Sequence, residues 1–287
     1  MKIPSHASLN ASHVPICRLS VVLIAKNEAE NLPRCLASVA FADEIIVLEH
    51  GSSDKTVSVA REHGAEVTTS SDWQGFGIQK NRALALAKGS WILCLDADEV
   101  VTAALRAEIC SIIGFADHEG NGFNQGQVPE AINVQVAYEI PRLTHFRGQW
   151  IRHCGWTPDP VLRLIRRGTG FFTSDMVHER LVLSDSNTKI RRLISPLLHY
   201  SYTKPDQYWI KLQRYSQDWA RQRHERGQTT SMTRAVSSAA AAFLRTYVFR
   251  LGFLDGAMGF AVCWMQAQAA YSKYFELYCL TRQQRSP

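Results

Sequence analysis

The sequence predicts a doubly wound, mostly parallel α/β sheet with an antiparallel addition, followed by a basic helical region. Three observations carry that expectation. Apolar, β-branched runs alternate with helical segments through the first hundred residues in the order β-α-β-α-β-α-β, the layout of a parallel sheet with crossover helices. Several of these runs end abruptly in polar or acidic residues, as strands do at the ligand edge of an open sheet. From about residue 204 the pattern changes to long helical segments rich in Lys and Arg. The expected units are 18–203 for the sheet domain and 204–287 for the helical region.

The first strand is Leu19–Ala25, a continuous apolar run that stops at Lys26-Asn27-Glu28. Asn31-Leu32-Pro33 then opens a helix, with Pro33 suited to its first turn. Glu44–Leu48 is the second strand, and Glu49-His50-Gly51-Ser52-Ser53-Asp54 is a turn into a helix starting near Thr56. Asp54 or Ser53 is placed to cap it. A third strand lies around Ala65–Thr69, and a third helix runs from about Ile78 to Ala87, closed by Gly89. The fourth strand is Trp91–Leu95. A helix near Ala103–Ile113 and a Gly/Asn/Gln-rich surface loop over 114–130 follow. Residues 131–140 alternate apolar with polar, as a half-buried antiparallel strand does, and Val161–Arg166 reads as another strand.

The fourth strand runs directly into Asp96-Ala97-Asp98-Glu99. An unpaired buried carboxylate costs several kcal/mol, roughly, so Asp96 and Asp98 belong at the strand's carboxyl end rather than in the core. Side chains at i and i+2 share a side of an extended chain, so both can address one ligand. Two neighbouring carboxylates also need a cation to stay ionised together, and hard oxygen ligands beside phosphates suit Mg²⁺ or Mn²⁺. Asn27, Glu28, Glu49, Asp54 and Lys80 fall at the same edge in the element order. Carboxylates for a nucleoside, with metal and lysine for a pyrophosphate, are what a nucleotide diphosphate requires. Neither G-x-G-x-x-G nor G-x-x-x-x-G-K-[ST] is present, which argues against a dinucleotide fold or an ATPase.

An apolar fraction of 46% over 287 residues is ordinary for a folded protein. Seven cysteines form no C-x-x-C pair, and Cys94 lies inside the fourth strand. Reduced, packed thiols in a cytosolic compartment fit this better than a disulfide framework. Residues 1–17 hold no continuous apolar h-region of a secretory signal. The net charge of +6 is uneven: between Arg191 and Arg250, eleven Lys and Arg face three acids, Asp206, Asp218 and Glu225. Such a segment suits nucleic acid or an anionic membrane. The apolar stretch Gly252–Met265 is too short to span a bilayer, which takes roughly 18–20 residues. Tyr271, Tyr274, Phe275 and Tyr278 recur at helical spacing, so an interface-lying membrane association is expected, and no nucleic-acid partner.

The runs Val21–Glu28, Glu49–Thr56 and Trp91–Glu99 resemble family 2 glycosyltransferases of the GT-A fold. The likeness is greatest to the lipopolysaccharide inner-core β-1,4-glucosyltransferase group. Ala25-Lys26-Asn27-Glu28, Gly75-Phe76-Gly77-Ile78-Gln79-Lys80-Asn81, Leu95-Asp96-Ala97-Asp98-Glu99, Gly155-Trp156-Thr157-Pro158-Asp159, Val177-His178-Glu179, His199-Tyr200 and Gly252-Phe253-Leu254-Asp255-Gly256 carry it, over about residues 19–278. One departure is Glu49-His50-Gly51-Ser52-Ser53-Asp54, where the family often has Asp-Ser-Gly-Ser-Thr-Asp.

The resemblance implies an inverting hexosyl transfer, with glucose the expected sugar, from a UDP-sugar to the heptose region of a lipid-linked saccharide. The protein would sit peripherally on the cytoplasmic face of the inner membrane. Asp96 would contact ribose or metal, Asp98 would ligate Mg²⁺ or Mn²⁺, and Glu179 is the first candidate base, with Asp159 second. His178 is a candidate for metal or phosphate. Arg163 and Arg166 are candidates for an anionic acceptor or the diphosphate, and Trp156 for stacking on a sugar. Two rivals stand beside this: a same-fold transferase using a polyprenyl phosphate acceptor, and a catalytically silent basic adaptor.

Overall fold

The computed structural model describes residues 17–114, 136–174, 179–201 and 205–283. Its frame is a ten-stranded mixed sheet. The parallel half is β3 (Glu66–Thr69), β2 (Glu44–Glu49), β1 (Leu19–Ala25) and β4 (Trp91–Cys94), side by side in that order. Helices α1 (Leu32–Ser38), α2 (Thr56–Glu62) and α3 (Phe76–Leu86) make the crossovers. Both faces of β1, β2 and β4 are covered, so these strands are apolar on both sides, while β3 at the edge is exposed. Along β1, Leu19, Val21 and Leu23 join Leu32, Leu36 and Ala60 of α1 and α2 in one cluster. Val22 joins Ile46, Ile92 and Ala83 of α3 in the other.

Beyond β4 the sheet becomes mixed, with antiparallel and parallel pairs. β8 (Asp159–Arg166) pairs with β4, with Leu164 opposite Leu93. β6 (Val136–Phe146) pairs with β8, and β12 (Leu197–His199) lies between β6 and β5 (Glu99–Val101). Helix α4 (Ala103–Ile113) follows β5, capped by the Thr102 hydroxyl on the Leu105 N–H and closed by Gly114 at φ 73°. β7 (Gln149–Ile151) and β11 (Lys189–Arg192) both pair with β6, while β9 (Gly170–Phe172) and β10 (Leu181–Leu183) form a separate two-stranded sheet.

The expected strand over 131–140 differs from the observed one. Residues 131–135 lie outside the described set, and β6 continues six residues past Ile140. Pro141 would ordinarily stop a strand, but it faces Pro160 across the β6–β8 pair, where neither partner needs an N–H.

The helical region begins with α5 (Pro205–Glu225) and α6 (Met232–Leu244), which continues through one π-type turn, Arg245–Phe249. A short 3₁₀ turn, Gly252–Asp255, leads into α7 (Gly256–Gln283). Val262, Cys263 and Met265 of α7 pack on Phe146, Ile151 and Cys154, anchoring the helices to the β6–β7 end of the sheet. All seven cysteines are free thiols.

Candidate active site

The acidic turn is built by β4 and closed by its own Glu99. The Leu95 N–H reaches Val22 O at 3.0 Å, which carries the β1 pairing one residue past the strand. The Asp96 N–H then donates to Glu99 Oε2 at 3.0 Å, and the Glu99 N–H to Asp96 O at 3.0 Å. Glu99 is fully buried, and its other oxygen meets the Arg163 guanidinium at 2.6 Å. The same Arg163 nitrogen also contacts Asp96 Oδ2. A buried charge therefore acquires a partner rather than moving to water.

Helix α3 supplies the second wall. Gly77 packs so tightly that a Cβ there would stand 1.9 Å from Thr173 O. Asn81 clamps β9 by donating to Phe172 O at 2.8 Å and accepting from the Phe172 N–H at 2.7 Å. Between them Lys80 sends its ammonium to Asp96 Oδ1 at 2.9 Å and Glu179 Oε1 at 3.2 Å. Burial alone would raise the Asp96 pKa, but Arg163 and then Lys80 hold it well below the usual carboxylate range. For Lys80 burial pulls the other way and Arg163 adds to it, yet Asp96, with Glu179, keeps its pKa raised.

Asp96, Asp98, Lys80 and Glu179 line one cavity of about 800 Å³, together with Asn27 and Glu28 from the end of β1. Asn27 takes a left-handed conformation (φ 56°) and is held by the Ser53 N–H on its side-chain oxygen at 2.8 Å. Glu28 accepts from Asn31 Nδ2 at 2.7 Å. His50, Trp73 and Phe76 form an aromatic wall, with ring centroids 5.0 Å apart for His50–Trp73 and 4.9 Å for Trp73–Phe76. Arg214 of α5 also lines the cavity.

Several expected site residues lie elsewhere. Glu49 is buried and its carboxylate takes the Ser52 N–H, so its neighbour His50 faces the cavity instead. Asp54 accepts from the Thr56 N–H at 2.9 Å and the Ala29 N–H at 3.2 Å, holding two turns together outside the cavity lining. Asp159 is bound by Arg142 Nε at 2.9 Å, also off the lining. Trp156 packs edge-on against Phe146 at 5.8 Å, in the cluster under α7. Arg166 lies over the Trp91 ring at 4.2 Å, at the amino end of β4 and away from the acidic turn. Arg163 is buried between two carboxylates and offers no face to an acceptor. His178 lies outside the described residues.

Sequence reasoning assigned no role to His199. It ends β12, and its Nε2 stands 3.4 Å from Asp98 Oδ2, while the Tyr200 N–H binds Asp98 O at 2.9 Å. Among the described residues no three His, Cys, Asp or Glu side chains converge as a metal cage. Asp98, on the cavity lining, and His199 beside it could supply two ligands to a metal ion. That fits a hard cation that keeps waters and takes its other ligands from substrate phosphates. Both Asp96 oxygens are engaged, one by Lys80 and one by Arg163.

A sheet of this order, with an acidic turn at the cavity edge, is the GT-A arrangement of a glycosyltransferase. Residues 20–172 match the glycosyl transferase family 2 model, just over half of the 287 residues, and the chain belongs to that family. An uncharacterized glycosyltransferase of Rickettsia prowazekii (strain Madrid E) is 28% identical over 250 residues, 85% of this chain and 80% of the relative. The lipopolysaccharide core biosynthesis glycosyltransferase LpsC of Rhizobium meliloti (strain 1021) is 28% identical over 279 residues, 91% of this chain and 94% of the relative. Among solved structures, S. aureus TarS in complex with UDP covers 93% of this chain and 92% of its own, at 15% identity and a TM-score of 0.39.

Proposed function

We propose that the protein is a metal-dependent inverting hexosyltransferase that moves a sugar, glucose in the first instance, from a UDP-sugar to the heptose region of the lipopolysaccharide core. It would work as a peripheral protein on the cytoplasmic face of the inner membrane. The observation that carries the reading is the meeting of Asp98, Asp96, Lys80 and Glu179 in one cavity of about 800 Å³, a size within the usual range for small-molecule sites. The lipopolysaccharide-core role of LpsC, which spans nearly the same length, supports the acceptor class.

In this reading the nucleoside lies against the His50–Trp73–Phe76 wall and the end of β1. Asp98 and His199 would hold Mg²⁺ or Mn²⁺, which supplies charge to the departing diphosphate. Glu179 takes the proton of the acceptor hydroxyl as its oxygen attacks the anomeric carbon. The bond from that carbon to the diphosphate oxygen breaks with its electron pair, so one displacement inverts the configuration. Lys80 bridges Asp96 and Glu179 and fixes their separation. Arg163 stays in the turn and holds Asp96 and Glu99 in place.

The test is a screen of UDP-hexoses against truncated lipopolysaccharide cores, scored by product mass. The expected product is one hexose heavier than a heptose-bearing acceptor, absent without divalent cation. Transfer to polyprenyl phosphate instead would move the acceptor to the first rival, and no transfer with any donor would favour the adaptor.

A further inference from the structure

Large apolar side chains are exposed unevenly over this molecule. Within Leu244–Trp264, Phe249, Leu251, Phe253, Leu254, Phe260 and Trp264 all stand in solvent, Phe249 being 79% exposed. Soluble surfaces scatter such residues singly, and a contiguous cluster marks an interaction site. The only acid in this stretch, Asp255, is buried and accepts from the His153 N–H at 2.8 Å and His153 Nδ1 at 2.9 Å. Arg245 and Arg250 are exposed beside the apolar residues.

The backbone holds this corner in a defined shape. The segments Met232–Phe249 and Gly252–Arg282 meet at 73°. No single described helix is long and apolar enough to cross a membrane, although this bent pair passes together by length and composition. Leu251 sits at φ 53°, a left-handed conformation that non-glycine residues seldom adopt. A Cβ on Gly259 would stand 1.9 Å from Gly252 O, and one on Gly252 would stand 2.5 Å from Cys263 Sγ. The turn is thus locked from inside while its outer side stays apolar.

We propose that this α6–α7 corner is a wedge that seats the protein on an anionic phospholipid bilayer. Phe249, Phe253 and Leu254 enter the boundary between headgroups and acyl chains, and Arg245 and Arg250 meet the lipid phosphates. A second copy of the chain fits the corner less well. A two-fold interface sets the same patch against itself, which would bring these arginines together with no exposed acid in the stretch to oppose them. The proposal deepens the membrane placement given above and rests on it. It narrows the interface-lying region expected over 204–287 to this corner.

The experiment is flotation of the full chain with phosphatidylcholine vesicles, with and without phosphatidylglycerol. Wild type is expected to float with the anionic vesicles. Phe249→Ser/Phe253→Ser/Leu254→Ser is expected to lose at least about tenfold in partition. Arg245→Gln and Arg250→Gln are expected to lose roughly fivefold each on anionic vesicles. Circular dichroism and UDP calorimetry on each variant check the fold and the cavity, and Phe249→Ser alone is the milder substitution should the triple variant misfold. Wild-type flotation by folded apolar variants would overturn the proposal. So would wild type that ignores vesicles but forms dimers that the apolar substitutions abolish, which would assign the corner to a second copy. Loss of UDP binding with flotation intact would strike at the donor site alone.

Discussion

Arg163→Met tests the buried charge network beneath the acidic turn. The guanidinium lies 2.6 Å from Glu99 and also touches Asp96. Unit charges at that separation attract by about 6 kcal/mol at an effective dielectric of about 20, before desolvation is subtracted. Methionine keeps most of the volume and removes the charge. Asp96 would retain Lys80 at 2.9 Å, but fully buried Glu99 would be left with Arg142 at 3.6 Å. Breaking a buried pair from one side costs about 3–5 kcal/mol, and that loss is expected here. Glu99→Gln alone should cost about 1–3 kcal/mol, since Arg163 keeps Asp96. The double variant leaves no orphaned charge, so it should cost less than the two single changes together, by about 1–3 kcal/mol. Urea unfolding followed by circular dichroism, with unchanged m-values, measures all three. A cost below about 1 kcal/mol for Arg163→Met, or strict additivity, would refute the network.

Other consequences reach the chemistry and the frame. Glu179→Gln should fold and bind UDP but lose transfer by about 10²–10⁴, read by single-turnover kinetics; wild-type turnover would move the base elsewhere. Arg214→Gln, on an exposed cavity-lining side chain, should raise a substrate KM several-fold, as in roughly 1 kcal/mol of lost contact, with an unchanged melting temperature. Gly77→Ala should destabilise by about 1–3 kcal/mol from overpacking and lower activity together with it, because Thr173 must move. Burial would raise the Glu44 pKa, but hydrogen bonds from Ser20 and Lys88 and the Lys88 ammonium hold it lowered. Its contribution is present above the unfolded value near 4.3 and is lost as pH falls through the folded one. Glu44→Gln should therefore cost about 1–2 kcal/mol at pH 7, and the gap to wild type should close as the pH drops below about 4.

The parallel half was legible because β1, β2 and β4 are buried on both faces and end in polar residues. Asp96 and Asp98 could be gathered with the end of β1 for the same reason: strand ends of one sheet share an edge. Lys80 came from the helix before β4, and Glu179 only from the family resemblance. Glu49 and Asp54 were harder, since a carboxylate after a strand can hold a turn as readily as a ligand, and here both hold turns. Arg163 and Arg166 look alike in sequence. Three residues of extended chain separate them by about 10 Å, and only the antiparallel register of β8 on β4 reveals which one meets Asp96. His199 sits on a three-residue strand, too short for any periodicity, and reaches Asp98 through the pairing of β12 with β5.

Calorimetry of UDP binding, with and without Mn²⁺, on wild type and Asp98→Ala addresses the acidic rim most directly. Binding that needs the cation in wild type, and falls at least about tenfold in a folded Asp98→Ala, is the expected result. Equal affinity in all four titrations would contradict a cation held by Asp98 between the protein and the diphosphate.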